Sequence, residues 1–590
     1  MTALRTQHKY DAQNRLSSQS WQLPGYTLWE TYAYNNANGT LKSMELGTGR
    51  SLTFGYDNLL RLQSETLEGI YQRRRNYGET TTANKETNRP NYFIYYKPDG
   101  TTVKLGYRYL YDAAGNIKQV YSREGENALA LESSYEYDKF GQLTWAYTLS
   151  RAESYTYDTA GNMLSRTQGS TTIDYGYENS QWGDLLTSYR GRKIAYEGQS
   201  YDMFSDSVTG TPVSGNPVNY CGSNARRWEM TWKNGRYLSK VKSGGIIATY
   251  EYDKNGLRTS KTYNDTRYDF AYAGDKLVWQ GWEGNEMYFF YDNTGAPIAF
   301  WYFPDGGSRV TGYYFTNQQG DVVRIEDPDG NVLASYSYDA WGKAYKSSGS
   351  MRNINPLRFR GYYYDTETGF YYLQSRYYDP VVSRFINADS YASTGQGFLG
   401  YNMFAYCGNN PVNRVDASGS MHVRIDDFGG GGGLSVNGAG SKYVLQSQEK
   451  DSSVDKKNPP PPSTGYKEPK KGLNRNHNNG KVKNPNGPGW GWPSSDGGVW
   501  MPGDNMDGGA GWTIQYPNGN HKHVYPNGHT REHITIDWDP VIGGGIIVGS
   551  VLGLIWVAGN DATLVGIADD AVAIPPLLGA IQQGWSMIVG

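Results

Sequence analysis

Along the first 345 residues, apolar and polar positions alternate at a period of two, in short runs broken by Gly, Asn and Asp. Ser134-Tyr135-Glu136-Tyr137 and Thr249-Tyr250-Glu251-Tyr252 are typical, and such alternation predicts half-buried strands rather than helices. The runs end on Tyr-Asp-x-x-Gly, which spans Tyr111–Gly115, Tyr137–Gly141, Tyr157–Gly161, Tyr252–Gly256, Tyr291–Gly295 and Tyr338–Gly342, with degenerate copies beginning at Tyr10 and Tyr56. Spacings of 20 and 26 residues, then 39 and 47, describe a repeat of roughly 20 residues with eroded copies. In this pattern the Asp accepts hydrogen bonds from turn amides, the Gly takes a positive φ, and a second strand follows, as at Asn162-Met163-Leu164. A hairpin of this kind cannot bury its face alone, so the units must stack side by side.

Composition agrees with this. Only 37% of the 590 residues are hydrophobic while 15% are aromatic, with 53 Tyr and 17 Trp, which suits many half-buried strands better than a helical bundle. The net charge of −2 gives the scaffold no signature of nucleic-acid or membrane-surface binding. Two cysteines, Cys221 and Cys407, exclude a disulfide scaffold and leave the redox compartment open. Residues 1–22 carry no basic-then-apolar signal pattern and open in mid-repeat, so the expectation is a fragment, or a product whose export segment lies upstream.

The repeats resemble the YD, or Rhs, repeat family, and the likeness sharpens over residues 327–419. It rests on Asp327-Pro328-Asp329-Gly330-Asn331, Tyr338-Asp339-Ala340-Trp341-Gly342, Arg358-Phe359-Arg360-Gly361-Tyr362, Gly369 through Pro380, Arg384-Phe385-Ile386 and Asn409-Asn410-Pro411-Val412-Asn413. The resemblance implies a mainly β fold in which strands wind into a shell, a secreted or cell-surface location, and delivery or display of a variable C-terminal toxin-like domain in competition between bacteria. It further implies a cognate immunity protein and the cell envelope or secretion machinery as partners. Within the family the end of the core can carry an Asp-Pro-x-Gly cleavage signature acting with an upstream Asp. The matching stretch here is Asp416-Ala417-Ser418-Gly419, with Asp389 upstream. Ala417 stands where the signature has Pro, so little or no spontaneous cleavage near Gly419 is expected, with Asp416 as a turn cap the alternative.

At Gly419 the composition shifts. Of the 53 Tyr only Tyr443, Tyr466, Tyr516 and Tyr525 follow it, whereas six of the seven His do. The glycine run 429–433 and the proline run 459–462, flanked by lysines, read as linker. The expected organisation is a repeat shell at 1–345, a core at 346–419, a linker at 420–483 and an effector-like module at 484–590.

In that module Tyr-Pro-Asn-Gly occurs at Tyr516 and again at Tyr525. Asn-Gly is a two-residue hairpin signal, which predicts a three-stranded meander over 511–538 with strands near 511–517, 520–526 and 529–538. That register sets Tyr516 opposite His521, Ile514 opposite His523, His523 opposite Glu532 and Lys522 opposite His533. One face then holds His521, His523 and Glu532 with the apolar residues, the other Gln515, Lys522, His529, Arg531, His533 and Asp537. On this reading the four histidines need not converge, and neither a metal nor a cofactor is assigned. Acid–base chemistry by His529 or His533, with Arg531 or Lys522 holding a phosphate, is one reading of the polar face. Beyond it, Val541 to Ala558 is uncharged, with Gly545, Gly549 and Gly553 at small-residue spacing, and apolar helices are expected over 541–590. These helices either pack as core or engage a target-cell membrane at a length near the lower limit for spanning. Three classes of function stay open for the module: an enzyme, a membrane-active pore-type toxin, and a non-enzymatic adhesin or carbohydrate-binding tail.

Overall fold

The computed structural model describes residues 5–78, 89–222, 226–390 and 398–425, together with separate strands between 482 and 567. The chain divides into two compact units, residues 1–446 and 447–590.

In the first unit the repeats become two antiparallel meanders. Seventeen strands, from Arg5–Tyr10 to Arg192–Lys193, each pair with the next, and a fourteen-stranded sheet runs from Ala195–Tyr196 to Ala344–Ser348. Each Tyr-Asp-x-x-Gly closes one hairpin in the way its residues require. At Asp158 the side chain accepts the amides of Ala160 and Asn162, both at 2.8 Å, and Gly161 sits at φ +77°. The Tyr stands at a register shift in the ladder, as between Thr156 and Tyr157. Its hydroxyl reaches back to a carbonyl of the preceding hairpin: Tyr157 to Leu143 at 2.6 Å, Tyr252 to Leu238 at 2.7 Å, Tyr291 to Leu277 at 2.7 Å. The bulge breaks the ladder locally, and the phenol supplies the bond that the backbone forgoes. Phe would fill the same space and leave that carbonyl unpaired, which is the physical reason for the tyrosine excess.

The core segment after Ser348 is no further hairpin stack. Its short strands Tyr363–Asp365, Phe370–Tyr372, Tyr377–Asp379 and Arg384–Phe385 form a four-stranded sheet that is almost wholly buried. It grips both meanders through polar groups inside an aromatic core. Arg258, fully buried on the second sheet, makes a two-pronged ion pair with Asp365 at 2.6 and 3.1 Å. Lys261 bonds Asp365 at 2.9 Å and Glu367 at 3.0 Å. On the first sheet Asn413 accepts the amide of Ile117 at 2.7 Å, and Arg384 donates to Tyr177 at 2.6 Å. Arg166 joins the two sheets, meeting Glu153 and Asp339 at 2.8 Å each. Four buried charges around Asp365 are tolerable because each is paired and hydrogen-bonded.

The second unit is also β. Val482–Lys483, Trp490–Pro493, Val499–Met506, Gly509–Gln515, His521–Val524, Thr530–Thr535 and Val565–Ile567 form one seven-stranded antiparallel sheet. Two expectations are corrected here. The meander register is displaced by one residue: Gln515 pairs with His521, Ile514 with Lys522, Lys522 with Glu532 and His523 with Arg531. Five residues, not four, lie between the paired positions Gln515 and His521, and again between Val524 and Thr530. A one-residue slip exchanges the two faces. The helices expected over 541–590 are strands wherever that stretch is described, Ile546–Ser550 pairing with Gly553–Val557 as a hairpin. Ile546, Ile547 and Val548 are β-branched, and the glycines that permit close helix approach also weaken a helix. No helix among the described residues is long and apolar enough to cross a membrane.

Candidate processing site at the end of the core

Asp389 and Asp416, 27 positions apart in the sequence, meet on one guanidinium. Arg376 Nη2 lies 2.8 Å from Asp389 Oδ2 and 3.5 Å from Asp416 Oδ2, with all three side chains buried. Each is held by local structure. Arg376 enters the strand Tyr377–Asp379, stacks its guanidinium over Phe385 and donates to the Met403 carbonyl at 2.9 Å. The Asp389 amide bonds the same Met403 carbonyl at 2.9 Å. The Asp416 amide is fixed by the Tyr362 hydroxyl at 2.9 Å, and that hydroxyl lies 3.0 Å from the one of Tyr406.

The backbone that follows Asp416 folds back over these groups. Asp416 Oδ1 accepts the amides of Ser420 at 3.0 Å and Met421 at 3.2 Å. The Ser418 carbonyl accepts both the amide of Ser375 at 3.1 Å and its hydroxyl at 2.7 Å. The Gly419 carbonyl accepts Arg376 Nε–H. Gly419 itself has φ +72°, and a Cβ there would stand 2.5 Å from the Leu373 carbonyl oxygen, so only glycine closes this turn. Two successive carbonyls thus carry preorganised donors, with a carboxylate pair beside them.

Burial pushes the Asp416 carboxyl up to about 6; Arg376 and the two amides oppose this, and the charge of Asp389 adds to it. His422, two residues past Ser420, is driven the other way, to about 3, by burial and by Arg414 and Arg376. A carboxyl that holds its proton near pH 6, next to a second carboxylate and polarised peptide carbonyls, has the parts needed for general acid–base hydrolysis of a peptide bond. Arg376 and Ser375 are the residues that sequence reasoning passed over. Both lie in the core motif, but nothing in a linear sequence says that Ser375 and Arg376 contact residues 416–421.

Of the residues expected to act in the second unit, Arg531 and His533 lie in the strand Thr530–Thr535, and His529 is outside the described residues. The corrected register sets His521 opposite His533 and His523 opposite Arg531. Three histidines and one arginine therefore share one set of alternating positions, contrary to the expectation that they diverge. Among the described residues no group of His, Cys, Asp and Glu is arranged to hold a metal ion.

Residues 283–412 match the family model described as teneurin YD-shell, and residues 448–528 the one described as bacterial toxin 37. The tRNA3(Ser)-specific nuclease WapA of Bacillus spizizenii is 31% identical over 42% of this chain and 11% of its own. The double-stranded DNA deaminase toxin A of Burkholderia cenocepacia is 28% identical over 50% of this chain and 23% of its own. The chain therefore spans between about a tenth and a quarter of the length of these relatives. Among solved structures, the Photorhabdus luminescens Tc holotoxin pore matches with a TM-score of 0.51 at 17% identity, over 71% of this chain and 21% of that one, a likeness of fold.

Proposed function

Since the chain is a YD-repeat protein of the Rhs type with a toxin-matched segment from residue 448, we propose that its repeat unit delivers or displays that segment, and that Asp389 and Asp416 cut the chain between the two. The observation that carries the second half is the convergence of both carboxylates on Arg376 beside the backbone of Ser418 to Met421. In this reading Asp389 takes a proton from a water that attacks a peptide carbonyl within 418–421. Asp416 gives its proton to the departing amine, and Arg376 and Ser375 stabilise the oxygen on which charge develops. Ala417 makes the site slow, because Pro at that position pre-sets φ and Ala does not. Use between bacteria, an immunity partner and export to the cell surface follow from the same reading.

Mass spectrometry of the purified full chain tests it. A cut within 418–421 should accumulate slowly, at a rate that falls as pH rises through about 6, where Asp416 gives up its proton. Ala417→Pro should speed it, and Asp389→Asn or Asp416→Asn should abolish it. If wild type and Ala417→Pro both stay intact for days between pH 5 and pH 8, the processing role is wrong.

A further inference from the structure

We propose that a recess between the two sheets of the first unit, bordered by Glu132, binds a small organic ammonium ion that carries hydroxyl groups, such as an amino sugar with a free amine. The recess shares no lining residue with the pair Asp389 and Asp416, and the inference stands whether or not the chain is cut.

The recess begins with a break in a ladder. Between the strands Ile117–Glu124 and Ala130–Tyr137, Val120 pairs with Ser133 but Tyr121 pairs with Leu131, so Glu132 is an extra residue with no partner across from it. A bulge of this kind re-aims a side chain. Glu132 borders the same space as Ser133 and Tyr135, where strict alternation would send it to the other face. The opposite wall comes from Val322–Glu326 and Val332–Tyr338 of the second sheet. The space measures about 400 Å³, within the ordinary range of ligand sites, about 300–1,000 Å³. Glu132 is open to solvent at this recess, yet enough protein surrounds it that burial pushes its carboxyl above the usual range.

The charges around the recess select its occupant. Asp321 is neutralised by Arg360 at 3.0 Å and also accepts the Arg360 amide at 3.0 Å. Asp339 is paired with Arg166 at 2.8 Å, and Arg324 lies between Glu124 at 2.5 Å and Glu326 at 3.6 Å. Glu132 differs from these. The Ser122 hydroxyl bonds it, the charge of Asp321 acts against it, and among the described residues no Lys, Arg or His pairs with it. An enclosed carboxylate without a cation is a cost to the fold, and the charge that offsets it has to come from outside the chain. An ammonium has three N–H donors. Glu132 takes one, and the phenols of Tyr107 and Tyr135 and the hydroxyls of Thr148 and Ser337, which line the same space, offer acceptors for the others and partners for ligand hydroxyls. Val120 adds an apolar surface for the C–H face of a sugar ring. A bare cation would leave most of the 400 Å³ to water, whereas a hydroxylated ring fills it.

Calorimetric titration of the full chain with glucosamine near pH 7 tests this. Binding should saturate at one molecule per chain, and N-acetylglucosamine, whose nitrogen is an uncharged amide, should bind at least about 10-fold more weakly. Glu132→Gln keeps the shape and removes the charge. It should weaken glucosamine by about 10- to 100-fold while the urea midpoint of the ligand-free chain stays level or rises. Glu136→Gln, at an exposed position on the same strand outside the recess, should bind as wild type does. Lowering the pH from 7 to 5 should weaken binding and make it release protons, because the cation then displaces a proton from the raised Glu132 carboxyl. Absence of saturable binding, equal binding of N-acetylglucosamine, or unchanged binding in Glu132→Gln would overturn the proposal. So would displacement of glucosamine by a lower concentration of Mg²⁺, or a lower urea midpoint for ligand-free Glu132→Gln, which would mean that the carboxylate already has its partner within the chain.

Discussion

Replacing Asp365 by Asn should destabilise the first unit more than any other isosteric change in it, and the cost can be worked from the structure. Arg258 and Asp365 are both fully buried, and Lys261 and Glu367 complete a cluster of two cations and two carboxylates. The Arg258 guanidinium lies 4.5 Å from the Tyr372 ring and 4.8 Å from that of Tyr363, so it has no path to water. Its Nε has no hydrogen-bond partner among the described residues, and besides Asp365 the guanidinium donates only to the Tyr377 hydroxyl, at 3.3 Å, so Asp365 supplies its one opposite charge in direct contact. Asn keeps the shape and removes one charge, leaving a buried net charge of one. Breaking a buried pair from one side costs about 3–5 kcal/mol. With an m-value of about 3 kcal/mol/M or larger for a unit of this size, the urea midpoint should fall by up to roughly 1–1.5 M. Removing both partners, in Arg258→Met with Asp365→Leu, leaves Lys261 and Glu367 balanced and should cost less than Asp365→Asn alone. Tryptophan fluorescence against urea reads all three proteins. A midpoint for Asp365→Asn within about 0.2 M of wild type would refute the view that this cluster clamps the core segment to the second sheet, as would a double variant that loses the sum of two singles.

Tyr157→Phe should cost about 1 kcal/mol by leaving the Leu143 carbonyl without the phenol, a loss that thermal unfolding would detect and that Tyr10→Phe, at an exposed position, should not show. Gly342→Ala should cost at least about 2 kcal/mol, because φ is +88° and a Cβ would sit 2.5 Å from the Phe359 ring; an unchanged urea midpoint would contradict this. The pH dependence has two opposed limbs. The Glu65 carboxyl, which burial alone would raise, is held at about 2 by Arg73 and Arg75, so its stabilisation is present above about 4.5 and lost as pH falls towards 2. Asp416 is raised to about 6, so its contribution, up to roughly 3 kcal/mol, is complete below 3.8 and lost as pH rises through 6. Asp416→Asn should flatten that second limb in urea melts taken between pH 4 and pH 8. Limited trypsin digestion should cut first between residues 420 and 483, where the lysines flank glycine and proline runs; an earliest cut within 100–340 would speak against two separate units.

How much of this was legible beforehand depends on the range over which each feature is decided. Tyr-Asp-x-x-Gly determined the hairpins, because an Asp side chain, two amides and a positive φ all fall within five residues, where chain connectivity leaves no alternative. The fall in tyrosine after Gly419, with four of 53 beyond it, is likewise local to the sequence, and the chain divides into compact units at residues 446/447. Local sequence misjudged two matters in the second unit. The meander pairs one residue away from the register that two-residue Asn-Gly turns imply, which sets His521 opposite His533 and His523 opposite Arg531. Over 546–557 the β-branched residues prevailed over a glycine spacing that suits helices in lipid. The tertiary structure alone decided that the tyrosine hydroxyl completes the preceding hairpin, that Asp365 neutralises Arg258 from 107 positions away, and that Asp389 and Asp416 share Arg376. Charge pairing in a low-dielectric interior acts through space, and its partners are chosen by how the sheets and the core segment pack rather than by their order along the chain.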